Sequence, residues 1–162
     1  MSIESFSPKW TQDVADLIVP IQRVEFGIDI TYQDQPDLQD ITGFYQTGAG
    51  GFWLAIEADK VVGTIALKDM GEGLAAVRKL FVVRTHRGSD KGLAKALLET
   101  LISHAQASGL TNLYLGTTVD FKAAHRFYEK HGFNMMDSAK LPQSFPRMAV
   151  DTRFYQRTLT KI

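Results

Sequence analysis

The run Leu80-Phe81-Val82-Val83-Arg84-Thr85-His86-Arg87-Gly88-Ser89-Asp90-Lys91-Gly92-Leu93-Ala94 decides how this chain is read. An apolar strand enters a loop with two glycines, and the loop enters a helix whose stripe is Leu93, Leu97, Leu101, Ile102 and Ala105. Amides at the start of such a helix have no intrahelical acceptor and carry the positive end of its dipole. Small residues at positions 88, 92 and 94 let an anion approach that backbone. Arg84, Arg87, Lys91 and Lys95 against Asp90 give a local charge of +3. The plain reading of the same residues is a strand–helix turn with a solvated basic face. Two common phosphate loops are excluded by spacing: no Gly-Lys-Ser/Thr closes a Walker loop, and Gly88-x-x-x-Gly92 is not the dinucleotide fingerprint.

Working outward, residues 52–57, 61–68 and 74–83 are three strand-like runs joined by turns at Ala58-Asp59-Lys60 and Gly71-Glu72-Gly73. Ahead of them, residues 3–6 alternate weakly as a short first strand. Val14, Leu17, Ile18 and Ile21 stripe a helix over residues 10–26, with Thr11 as its cap and Pro20 bending or shortening it. Pro36 opens a second helix, striped by Leu38, Ile41, Phe44 and Tyr45. Asp34 reads as its cap, and Asp37 and Asp40 as a solvated face or a weak electrostatic guide for a cationic acceptor. Downstream, Gly109 stops the long helix and residues 112–116 form a short strand. Residues 122–131 form a helix stopped by Gly132, and residues 148–159 a final strand. This order predicts an α+β fold with a mixed sheet. No repeat, low-complexity tract or linker divides the chain, so residues 1–162 are read as a single domain.

Composition narrows the function classes. Of 162 residues, 44% are hydrophobic and 22% charged, which excludes wholesale disorder. Eighteen basic residues offset eighteen acidic ones, so no bulk field collects nucleic acid or an anionic membrane. The chain has no cysteine, which excludes disulfides, thiolate catalysis and cysteine-ligated zinc. Histidines 86, 104, 125 and 131 lack metal-ligand spacing, and no metal is expected. No apolar run approaches the ~20 residues that span a bilayer, and no signal peptide is visible, so the cytoplasm is the expected location.

The later stretch Ala124-His125-Arg126-Phe127-Tyr128-Glu129-Lys130-His131-Gly132-Phe133 supports the reading of a ligand-binding loop. Together with residues 75–94, in order and properly spaced, it resembles the GNAT superfamily of acetyl-CoA-dependent N-acetyltransferases. The resemblance covers nearly the whole chain. It implies a mostly antiparallel central sheet flanked by helices, with a splayed strand pair holding the cofactor arm. On that resemblance, Phe81, Val82 and Val83 pair through their backbone with the pantetheine amides. Arg87, Gly88, Ser89, Lys91, Gly92, Leu93 and Ala94 hold the pyrophosphate, Ala124 lies against the arm, and Tyr128 faces the thioester sulfur as general acid.

Three departures from the family pattern stand out. The loop carries Ser89-Asp90-Lys91 between Arg87-Gly88 and Gly92-x-Ala94, about two residues more than is usual, and Asp90 is expected to point outward. Phe121 stands where an asparagine often contacts the cofactor. Ala76 stands where many members carry a glutamate that acts through water as base. Glu25, at the end of the first helix, is then the best carboxylate for contacting or deprotonating an amine; its plain reading is a solvated helix end. Phe145 and Met148 could line an acceptor pocket, with core packing the simpler role for Met148.

The expected activity is transfer of an acetyl group from acetyl-CoA to a primary amine of a small molecule or peptide, by direct attack because no cysteine can carry the group. No nucleic-acid or membrane partner is expected, and a homodimer is allowed. The rival readings are a non-catalytic acyl-CoA-binding or sensing module on the same fold, and a nucleotide-binding regulator using the basic loop.

Overall fold

In the computed structural model of the chain, residues 1–88, 90–118 and 122–160 are described. The expected meander forms from β2 (Gly51–Glu57), β3 (Lys60–Gly71) and β4 (Leu74–Val82). β1 (Ser2–Ser5) pairs antiparallel with β2. β5 (Asn112–Thr117), β6 (Asn134–Met136) and β7 (Arg153–Thr158) complete one seven-stranded sheet in the order β1-β2-β3-β4-β5-β7-β6. Every pairing is antiparallel except β4 with β5. This is the mixed, mostly antiparallel α+β architecture that the sequence implied.

Helices cover both faces. On one face lie α1 (Thr11–Pro20), α2 (Pro36–Gln39) and α3 (Ile41–Tyr45), burying Val14, Leu17, Ile18, Leu38, Ile41 and Tyr45 against Phe52, Leu54 and Ala66. On the other lie α4 (Leu93–Ala107) and α5 (Lys122–Lys130), where Leu97, Leu98, Leu101 and Tyr128 pack with Ile65, Val77, Leu113 and Leu115. A third cluster of Ala76, Leu141, Phe145 and Phe154, with Tyr114 and Met136 against it, covers the sheet beyond β4. Phe145 is therefore a core residue of this cluster.

The first helix departs from its expected form. Thr11 does not cap it; its hydroxyl donates to the Pro8 carbonyl. Pro20 has no N–H to give, and the chain beyond it widens into a π-turn over Ile21–Glu25, closed by Phe26 N–H to Ile21 O at 3.1 Å. That turn ends on Glu25. The second helix is two short ones, broken at Asp40, whose carboxylate accepts from the Gly43 N–H and so starts α3. Asp34 caps the preceding turn instead, accepting from the N–H and hydroxyl of Thr31. The last strand is shorter than expected, because Met148 to Asp151 closes a turn before it.

Two features of β4 place the site. Its pairing with β5 stops after three rungs, Leu74–Asn112, Ala75–Leu113 and Ala76–Tyr114, so the strands part into a wedge toward their C-terminal ends. A bulge sits where they part: the β3 register shifts between Thr64–Phe81 and Ala66–Arg78, and Lys79 adopts φ 56°.

Candidate active site

The glycine loop leads into α4 as the sequence suggested. Gly92 is the helix N-cap at φ 69°, and no side chain caps the helix. The first intrahelical bond is Ala96 N–H to Gly92 O at 3.0 Å, while the Ala94 and Lys95 N–H groups meet no backbone acceptor among the described residues. Those two donors, the helix dipole and the exposed Lys91 could hold an anion. The N–H groups of Lys91 and Gly92 are less available, because both point at the Gly88 carbonyl. Leu93 is buried beneath the loop, and Asp90 is exposed, as expected of a residue pointing outward. Ser89 lies outside the described residues.

Arg87 makes contacts that the resemblance did not imply. Its Nε donates to Val82 O at 2.7 Å, and its two terminal nitrogens reach the Glu25 carboxylate at 2.6 and 3.1 Å. Arg84 adds a longer contact to the same carboxylate, at 3.5 Å. These bonds use three of its five N–H donors, so Arg87 ties the loop to the end of the first helix and keeps one N–H on each terminal nitrogen. Glu25 is correspondingly a poor proton acceptor: the Arg87 guanidinium, with help from Arg84, holds its carboxyl below the usual range. The sequence reading paired neither residue with the other, and Glu25 is a held carboxylate rather than a solvated helix end.

The wedge presents backbone and a phenol. Val83 N–H bonds Val62 O on β3, so by strand alternation the N–H and C=O of Val82 face the side that β5 has left. Arg87 occupies that carbonyl, leaving the Val82 N–H as the free group; Phe81 is turned toward β3 in register with Thr64. Thr118, just past the end of β5, has a buried hydroxyl with no partner among the described residues. On the α4/α5 face, Tyr128 is 8% exposed and packs edge-on against Phe127 and Phe133. Its pKa is driven up, by burial first and then by the charge of Asp151, so it is a proton donor at neutral pH. No described side chain hydrogen-bonds its hydroxyl. Ala124 packs partly buried against the same cluster, and Phe121 lies outside the described residues. Helix α5 is fixed to β7 by Tyr155 donating to Glu129 at 2.6 Å and by His125 held between Arg153 and the Thr118 carbonyl.

The opposite face carries charges that the local pattern did not reveal. Asp37, read as solvated, is 6% exposed. It accepts from the Tyr45 hydroxyl at 2.6 Å and stands 3.5 Å from the ammonium of Lys79. Lys79 also donates to Gln35 at 2.6 Å, and Gln35 is paired with Gln22. Burial pulls the Lys79 pKa down to about 8 against the opposing pull of Asp37. Beside it, Arg78 lies over the rings of Phe44 and Tyr45 and 3.5 Å from the Met148 sulfur, with no carboxylate at ion-pair distance among the described residues. Met148 thus borders this face without being buried. Asp151 is half-buried against Gly116 of β5 and lies within reach of the charges of Arg78 and Lys79. The one sequence signal for this group was Arg78-Lys79 interrupting an apolar strand; nothing local marked Asp151.

Residues 15–133 match the family model of the acetyltransferase (GNAT) family. The fold superposes on the crystal structure of an acetyltransferase of GNAT family from Staphylococcus aureus Mu50 with a TM-score of 0.93 and 35% identity, covering 98% of this chain and 99% of that one. The crystal structure of an acetyltransferase from Streptococcus agalactiae gives 0.91 and 32%, covering 98% of each chain. Among curated proteins, the N-acetylaspartate synthetase of Xenopus tropicalis is 36% identical over 99 residues, which make up 60% of this chain and 36% of that protein. The chain therefore spans well under half the length of that relative. No helix among the described residues is long and apolar enough to cross a membrane.

Proposed function

The chain belongs to the acetyltransferase (GNAT) family, and from that premise we propose that residues 1–162 act as one unit transferring an acetyl group from acetyl-CoA to a primary amine of a small molecule or peptide. The observation that carries this reading is the wedge between β4 and β5, which has on one face a buried phenol, and at its rim helix amides, with no hydrogen-bond partner among the described residues. Unspent donors of this kind fit a ligand that brings its own acceptors. When bound, acetyl-CoA supplies the acyl group as a thioester.

This chain's residues supply the rest. The Ala94 and Lys95 amides and the Lys91 ammonium receive the pyrophosphate, and Gly92 puts no side chain in its way. The Val82 N–H pairs with the pantetheine arm, and Ala124 leaves room for it. Tyr128, protonated at neutral pH, donates to the departing sulfur, whose unperturbed pKa near 8.5 makes a proton useful as the bond breaks. The amine arrives from the α1–α3 face. Arg78, with no ion-pair partner among the described residues, suits an acceptor that also carries a carboxylate. The name of the N-acetylaspartate synthetase relative points the same way. Calorimetric titration of CoA into the protein tests the binding half of the proposal. One saturable site is expected; the absence of binding heat across a range of temperatures, with no protection against thermal unfolding, would contradict it.

A further inference from the structure

We propose that Asp151, on the connection into β7, is the proton acceptor for the attacking amine. This rests on the acetyl-transfer reading and assigns the role left open by Ala76. Two backbone bonds fix the residue: Asp151 N–H to Met148 O and Thr152 N–H to Thr117 O, both at 3.0 Å. They hold it at the end of β5, where β4 has already departed. Its carboxylate lies on the Cα of Gly116; a side chain there would place its Cβ 2.6 Å from Oδ2. Gly116 alternates with Leu115 and shares a strand face with Tyr114, which packs in the Ala76 and Phe145 cluster. Tyr128 packs with Leu115 on the other face. Asp151 and the phenol thus flank the open wedge from opposite sides, near enough to feel each other's charge, at a position where β5 carries no side chain.

The other described carboxylates near the site are occupied. Glu25 is held by Arg87, and Asp37 by Tyr45 and Lys79. Among the described residues, no side chain hydrogen-bonds or ion-pairs with Asp151. The charged and titratable groups facing it are Arg78 and Lys79 from β4 and Tyr128 from α5, with Asp37 behind Lys79. Burial outweighs the two cations and pushes its pKa up to about 6, so it is ionised at neutral pH yet more basic than an ordinary aspartate.

The acceptor's ammonium gives one proton to Asp151. The freed lone pair forms the N–C bond, the C–S bond breaks with its electron pair going to sulfur, and the sulfur takes the Tyr128 proton. The second nitrogen proton restores the phenol as the amide forms. Asp151 returns its proton to solvent, so one proton leaves per turnover.

The test joins kinetics to a measurement that needs no turnover. Acetyl transfer is followed against pH with the best acceptor from a panel of L-aspartate, L-lysine, putrescine and a dipeptide, in wild type, Asp151→Asn and Asp151→Glu. The carboxyl carbons of 13C-labelled aspartates are titrated by NMR in the protein alone, with Asp151 assigned by its loss in Asp151→Glu. We expect kcat/KM for the acceptor to fall about 10²-fold or more in Asp151→Asn, partial recovery in Asp151→Glu, and unchanged CoA affinity. The wild-type acidic limb should coincide with the Asp151 titration and be absent from Asp151→Asn. A limb that survives in Asp151→Asn, or wild-type turnover by that variant, overturns the assignment alone. So does a limb separated from the carboxyl titration by more than about one unit, a criterion that stands even if Asp151→Asn does not fold. Failure of the wild type to release CoA with any acceptor overturns the acetyl-transfer reading and the assignment with it.

Discussion

Tyr128→Phe is expected to lower kcat at least tenfold while leaving CoA affinity within about twofold, since acid assistance contributes typically 10²–10⁴-fold. The substitution isolates the hydroxyl. The ring stays among Phe127, Phe133 and Tyr155, with centroids 5.5, 5.6 and 6.2 Å away. No described side chain loses a hydrogen bond, so folding stability should hold or rise slightly. Single-turnover kinetics, with chemistry isolated from product release, give the relevant rate. A variant that turns over at the wild-type rate would reduce Tyr128 to a packing residue.

Gly92→Glu is expected to weaken CoA binding at least tenfold. A Cβ at this position meets nothing within 4 Å, so the added carboxylate has space beside the α4 amides and competes there with phosphate. The backbone is at φ 69°, which costs a non-glycine residue about 1 kcal/mol whatever its charge. Gly92→Ala carries the same backbone cost without the anion and serves as the reference. Calorimetry of both variants separates the two effects. Equal CoA affinity in the glutamate and alanine variants would move the pyrophosphate away from this helix.

What was legible in the sequence is what short-range physics writes there. Period-two runs and glycine turns gave the meander, and the stripe from Leu93 to Ala105 gave α4. The paired motifs gave the family, and with it the role proposed for Tyr128. What was missed depends on contacts between distant segments. Glu25 and Arg87 are 62 positions apart, and nothing near either one marks the other. Asp37 looked solvated because its helix is short and its partner Lys79 comes from a strand bulge. The insertion of β7 between β5 and β6 is a property of the sheet order, and Asp151 acquires its surroundings only from it. The break at Asp40 and the π-turn after Pro20 were within reach of local rules, since an aspartate followed three residues later by a glycine can start a new helix.

The most direct measurement is thiol release. The chain has no cysteine, so every thiol that appears in a mixture of protein, acetyl-CoA and amine is CoA. Against the same amine panel, we expect thiol to appear only with protein and acceptor both present, with an equal amount of N-acetylated amine found by mass spectrometry. Saturable CoA binding with no thiol release above the uncatalysed blank, for any of the amines, would contradict catalysis and leave an acyl-CoA-binding module on this fold.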